Sequence, residues 1–121
     1  MVAKGERVAL IQFGSRADVY LPLSVKIAPD LDDAQLKDIA ALAVECGMDA
    51  ITATNTTIAR EGVSGLPHAE EKGGLSGAPL RERSTSVIRT LARALDGALP
   101  IIGVGGILSG EDAREKIAAG A

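Results

Sequence analysis

The sequence predicts an α/β protein, a partial (β/α)8 TIM barrel of about three consecutive βα units with one extra strand sketched near the N-terminus. From Leu21 onward, short apolar, β-branched runs bounded by Pro or Gly alternate with longer stretches whose apolar residues recur at helical spacing. That alternation is the mark of successive βα units. Hydrophobic residues make up 46% of the chain, yet its aromatics are one Tyr and one Phe, so a core must be built from Ala, Val, Ile and Leu. This composition suits buried parallel strands under Ala-rich helices. At 121 residues the chain is about half of a barrel, which needs roughly 250 residues.

Taken in order, residues 1–20 are the least patterned. Val8 to Phe13 reads as a strand, flanked by Gly5-Glu6-Arg7 and Gly14-Ser15-Arg16 without a helical pattern. The segment is otherwise unassigned, and residues 21–121 make up the partial barrel. The first βα unit opens with the run Leu21 to Ala28; after Pro29-Asp30 a helix places Leu36, Ile39, Ala40, Ala43 and Val44 on one face and ends at Gly47.

The second strand, Asp49 to Thr54, leads into a polar, Gly-rich excursion from Asn55 to Gly77. It is too long for an ordinary βα connection, and long loops in compact domains are usually functional or disordered. A second amphipathic helix follows, marked by Leu80, Val87, Ile88, Leu91 and Leu95, and Gly97 and Pro100 punctuate the passage to a third strand, Ile101 to Val104. Ser109 is the expected N-cap of a third helix, with Glu111 and Asp112 in its first turn and Ala113 and Ile117 along it towards Gly120. At Ala121 the pattern would be entering its next strand, which leaves an uncovered sheet edge there.

Thirteen basic and sixteen acidic residues give a net charge of -3, interspersed and without a basic block, which argues against a nucleic-acid partner. The single cysteine, Cys46, lies in an apolar helical pattern and is expected to act as a small buried hydrophobe in a reducing compartment. No apolar run approaches the roughly 18 residues needed to cross a bilayer, and no signal-peptide pattern opens the chain, so a cytoplasmic location is expected for it.

Chemistry concentrates at the strand ends. Gly73-Gly74-Leu75-Ser76-Gly77 precedes the second helix, and Gly103-Val104-Gly105-Gly106 closes the third strand. Glycine lets backbone amides approach an anion closely, and late barrel loops often hold ligand phosphates. Either run alone also fits a plain tight turn and helix entry; two in successive units point to a phosphate site. Thr54-Asn55-Thr56-Thr57 stands at a strand exit, where its amide and hydroxyls could match a planar ligand with carbonyl and N–H edges or simply bond nearby backbone.

Lys26 alternates with Val25 and Ile27, so if those two face the helices Lys26 points into the barrel. An inward charge is costly unless paired, which favours contact with an anionic ligand or an electron-rich cofactor over an edge-strand lysine facing water. His68 sits beside Pro67 in the polar excursion with no second His or Cys at ligand spacing, and reads as a solvated loop residue with no metal site in view.

Four segments, in order, carry a resemblance. Val25-Lys26-Ile27-Ala28-Pro29-Asp30-Leu31, Thr54-Asn55-Thr56-Thr57, Gly73 to Leu80 and Ile101-Ile102-Gly103-Val104-Gly105-Gly106-Ile107 resemble the class 2, quinone-dependent dihydroorotate dehydrogenases. The likeness runs from about Pro22 to Ala121, and the closing stretch Ala113 to Ala121 also looks like the family's helix. It implies an FMN-containing barrel that oxidises dihydroorotate to orotate in pyrimidine biosynthesis and passes electrons to a membrane quinone.

By the same resemblance Lys26, Thr54, Ser76, Gly77, Gly105 and Gly106 would contact FMN, Gly106 near its phosphate, while Asn55 and Thr56 would contact the pyrimidine. The family's catalytic base is a serine in an upstream loop, which Ser24 and Ser64 do not match, and its N-terminal helices form the quinone and membrane site. Neither feature is recognisable here, nor is the strand that follows the Ala121 position and completes the FMN phosphate site. The resemblance thus implies a fragment from the C-terminal half with no catalytic residue of its own. Two other readings stand beside it: an inactive truncated half-barrel stabilised by self-association, and another FMN- or phosphate-binding barrel.

Overall fold

The computed structural model describes residues 9–12, 16–19 and 22–121. Strand β1 (Ala9–Gln12) pairs antiparallel with β2 (Arg16–Val19). The expected N-terminal strand is therefore present over its central residues, with an antiparallel partner that the sequence pattern does not announce; Val8 and Phe13 lie outside the described residues.

The rest is three βα units. Strands β3 (Ser24–Ile27), β4 (Ala50–Ala53) and β5 (Ile101–Gly103) form a parallel sheet in the order β3-β4-β5. Helices α1 (Asp33–Glu45), α2 (Arg81–Leu95) and α3 (Gly110–Ala119) follow them in turn, α2 after a short 3-10 turn at Ala78–Leu80. Sequential parallel strands joined through helices make this a segment of a β/α barrel.

Register decides which residues face the helices. Lys26, Thr52 and Ile102 pair abreast, as do Ile27, Ala53 and Gly103. Because side chains alternate across a strand, Ile27, Ile51, Ala53 and Ile101 fall on the helix side, where they join Leu36, Ala40, Ala43, Val87, Ile88, Leu91, Leu95 and Ala119 in the core. Each of the larger aliphatics buried there contributes about 1.5–3 kcal/mol of transfer free energy. The opposite face carries Lys26, Thr52 and Ile102, and Ile102 is 50% exposed.

The helices start where local chemistry permits. Asp32 caps α1 in a capping box: its carboxylate accepts from the Gln35 amide at 2.8 Å, and the Gln35 side chain accepts from the Asp32 amide at 3.0 Å. Ser109 caps α3 as expected, its hydroxyl oxygen accepting from the Asp112 amide. Helix α2 ends at Asp96, a non-glycine residue in the left-handed region.

Two expectations about burial change, and α3 turns a charged residue inward. Val44 is 45% exposed, because the buried face of α1 is set by Leu36, Ala40 and Ala43 and Val44 lies a further 100° round the helix. Cys46 is exposed, not a buried hydrophobe: α1 ends at Glu45, and Cys46 belongs to the turn beyond it. On α3, Ile117 is 67% exposed while Lys116 is 2% exposed; the side turned to the protein carries Asp112, Lys116 and Ala119.

No helix among the described residues is long and apolar enough to cross a membrane.

Candidate functional site

The C-terminal ends of β3, β4 and β5 lie at one end of the sheet, where a β/α barrel carries its ligands. Lys26 stands on the helix-free face, exposed, on the edge strand β3, and its side chain has no hydrogen bond or ion pair to any described residue. Asn55 and Thr56 at the β4 exit are exposed, and their side chains too have no partner among the described residues.

Thr54 differs. It is 1% exposed, its amide donates to the Val104 carbonyl at 2.9 Å, and its hydroxyl donates to the Asn55 carbonyl at 2.8 Å. The Ala53–Thr54 peptide at this exit is cis. Thr57 turns inward as well, its hydroxyl donating to the Asp30 carboxylate.

Asp30 was not among the expected site residues, yet it organises the entrance. Besides Thr57 it accepts from the Ile58 amide at 3.0 Å and from Arg83 of α2 at 2.9 Å. Partial burial pushes its carboxyl up, but the bonds from Thr57 and Ile58 and the nearby Arg83 guanidinium outweigh that and hold it below the ordinary carboxylate value.

The long excursion is cinched at its base, where Thr57 and Leu75 exchange backbone hydrogen bonds. Arg60 pins its interior by donating to the carbonyls of Glu71 and Gly73 at 2.8 and 2.7 Å. His68 is exposed beside Glu71, as its loop position implied. No group of three or more His, Cys, Asp or Glu among the described residues could hold a metal ion.

Beyond the cinch, Ser76 is exposed, and Gly77 takes φ +78 before the 3-10 turn. The second glycine run meets the same place from the other side. A Cβ on Gly105 would stand 3.0–3.2 Å from Leu80 and Ser84, and one on Gly106 would stand 2.5–2.6 Å from the Arg81 backbone. The two glycine-rich segments thus converge on the first turn of α2. The Gly105, Gly106 and Ile107 amides find no acceptor among the described residues, although Gly106 is buried. A buried N–H without a partner is uncommon unless a ligand supplies the acceptor, and adjacent free amides in such a turn suit an oxyanion.

The same architecture recurs in solved structures of Eimeria tenella DHODH. The complex with ferulenol aligns over 87% of this chain with a TM-score of 0.81 and 43% identity, covering 28% of that chain. The ligand-free form aligns with a TM-score of 0.78 and 45% identity, covering 82% of this chain and 27% of that one. The family model described as Dihydroorotate dehydrogenase matches residues 5–121.

This chain belongs to the dihydroorotate dehydrogenase family.

Two curated relatives of the chain within the family are of the quinone class. It is 71% identical over 102 residues to the dihydroorotate dehydrogenase (quinone) of Thiobacillus denitrificans and 65% identical over 102 residues to that of Methylobacillus flagellatus. Both alignments take in 84% of this chain, which spans 30% of each relative's length. The family match begins at residue 5, upstream of Pro22, where the motif likeness starts.

The turn itself fits an anionic group such as a phosphate ester: Gly106 is buried, and its amide and those of Gly105 and Ile107 have no acceptor among the described residues. Among the expected contacts, Lys26, Asn55, Thr56 and Ser76 present side chains that are free among the described residues, and Gly105 and Gly106 present amides. Sequence reading missed the support behind them, namely Asp30, Arg60, Arg83, Ser84 and Lys116. Asp30 lies inside a quoted motif and was within reach; Ser84 and Lys116 look like ordinary helix-surface residues by type.

Proposed function

We propose that this chain is the cofactor- and substrate-facing part of a quinone-dependent dihydroorotate dehydrogenase, which oxidises dihydroorotate to orotate in pyrimidine biosynthesis. The observation that carries this reading is one of placement. Lys26, Asn55 and Thr56, whose side chains have no partner among the described residues, and the unpaired Gly105, Gly106 and Ile107 amides lie at the strand ends, in the segments that resemble the family's motifs.

FMN, when bound, supplies the hydride acceptor that the protein's side chains cannot provide. The chain's own residues bind and orient. Lys26 offers a cation on the helix-free face, suited to the electron-rich edge of a flavin. Thr54, buried with its amide bonded to Val104 and its hydroxyl proton given to Asn55, would hold the strand exit on which the flavin sits. Gly77 and Ser76 border the same space, and the Gly105 and Gly106 amides take the phosphate. Asn55 and Thr56 carry donors and acceptors that match the carbonyl and N–H edges of dihydroorotate and orotate.

A binding role without turnover is favoured for the chain by itself. Ser24 Oγ lies 2.8 Å from Thr52 Oγ1 on the sheet face, and Ser64 is exposed in the excursion; neither is placed as a base. Quinone reduction and membrane association belong, in this reading, to the N-terminal helices of full-length relatives. Titrating FMN into the chain is expected to quench flavin fluorescence saturably, with orotate binding only once FMN is present. Absence of saturable quenching would remove the reading.

A further inference from the structure

We infer that Lys116 is a positioning residue for the anion-binding turn, acting through Ser84 to hold the Gly105 carbonyl and so aim the Gly106 amide at a phosphate ester. The inference rests on the FMN reading above and adds to it a group on the far side of α2.

Lys116 is 2% exposed on α3. Its Nζ lies 2.7 Å from the Arg81 carbonyl, 2.5 Å from Ser84 Oγ and 2.6 Å from Thr85 Oγ1. Three acceptors at hydrogen-bond distance match the three N–H donors of an ammonium, whereas a neutral amine has two. Burial pushes the Lys116 pKa down, as does Arg81, while Glu115 and Asp112 pull it back up.

The hydroxyl protons can then be counted. The Arg81 carbonyl already accepts the Thr85 amide as a turn of α2, and Lys116 at 2.7 Å and the Thr85 hydroxyl at 2.9 Å crowd its remaining lone pair. Ser84 also lies 3.1 Å from that carbonyl, but with both lone pairs taken its proton goes to the Gly105 carbonyl at 3.0 Å. In a trans peptide the C=O of one residue and the N–H of the next point in opposite directions. Fixing the Gly105 oxygen towards Ser84 therefore fixes the Gly106 N–H in the opposite direction, away from Ser84. Without Lys116 the Arg81 carbonyl is less crowded and Ser84 Oγ loses the donor that fills one of its own lone pairs, so the Ser84 proton is free to swing to Arg81 and release Gly105.

Charge works in the same direction. Lys116 forms no ion pair with a described carboxylate, because Asp112 is engaged by Arg81, Ser109 and Leu108. A buried positive charge in poorly screened surroundings raises the potential at a neighbouring anion site.

The test compares FMN with riboflavin, which lacks the phosphate, by fluorescence quenching of the wild-type chain, Lys116→Met and Ser84→Ala. Lys116→Met is expected to weaken FMN about tenfold, the scale of a lost hydrogen bond to a charged group, with riboflavin unchanged. Ser84→Ala should act in the same direction, and it carries the test if Lys116→Met does not fold. Equal weakening of both ligands, or of neither, would overturn the inference and leave Lys116 a structural role only. If the wild-type chain binds FMN and riboflavin equally, the turn holds no phosphate; the inference fails while the flavin reading survives. If it binds neither, the flavin reading fails, and inorganic phosphate decides the inference. Shifts of the Gly105 and Gly106 amide resonances in wild type but not in Lys116→Met would support it, and their absence in wild type would sink it.

Discussion

A Cβ placed on Gly106 would stand 2.5 Å from the Cα of Arg81, so the turn that closes β5 is seated directly on the first residue of α2. Neither backbone can give way alone. Gly106 also has φ +68, a conformation L side chains resist.

Gly106→Ala is accordingly expected to destabilise the chain by about 1–3 kcal/mol, the usual cost of overpacking, and to abolish FMN quenching. Gly62→Ala is the control, since Gly62 has φ +79 but nothing within 4 Å of its Cβ position. Denaturant midpoints of the two variants separate steric cost from backbone cost; equal midpoints would show that the seat on Arg81 is not tight.

Lys26→Met should leave thermal unfolding unchanged, because the Lys26 side chain bonds to no described residue, while reducing FMN affinity about tenfold. Calorimetry and flavin quenching on the same preparation check both halves. A fall in melting temperature with flavin binding retained would assign Lys26 to the fold and not to the site.

Asp30→Ala removes the acceptor shared by Thr57, Ile58 and Arg83, which ties the base of the excursion to α2. Limited trypsin digestion is expected to cut faster after Arg60 and Lys72 in the variant. Unchanged cleavage rates would mean that the Thr57–Leu75 bridge holds the loop unaided.

Asp112 gives a pH signature. Its pKa is lowered to about 2 by the hydrogen bonds it accepts from the Ser109 hydroxyl, the Leu108 amide and Arg81. Since its folded value lies below the ordinary 3.8, the stability it contributes is present above that ordinary value and is lost as pH falls towards the folded one. Asp112→Asn should flatten the loss of urea resistance between about pH 4 and about pH 2. An acid profile identical to wild type would show that other carboxylates control it.

Leu91, 0% exposed in the core, and Ile117, on the outer face of α3, make a paired test of the packing. Leu91→Ala is expected to cost about 2–5 kcal/mol, and Ile117→Ala less than about 0.5 kcal/mol. Comparable losses in chemical denaturation would place Ile117 against another surface.

Much of this was legible in the chain. The parallel strands and their helices follow from short β-branched runs alternating with helical periodicity. The N-cap at Ser109, the break at Gly47 and the helix-free side of Lys26 follow from local rules that need no distant partner. The site segments were legible because Thr54 to Thr57, Gly73 to Gly77 and Gly103 to Gly106 are unusual runs at strand ends.

What the sequence by itself determined is the order of the βα units, the face each strand offers its helices and the polar and glycine-rich groups at the strand exits, since these depend on residues a few positions apart. Tertiary structure alone decided that Lys116 and not Ile117 is buried on α3, that Cys46 is exposed, that Asp30 reaches Arg83 and that Gly106 rests on Arg81. The burial of Lys116 depends on which acceptors a neighbouring helix presents. A buried ammonium is tolerated only where several oxygens converge on it, and that convergence exists only after α2 and α3 have packed.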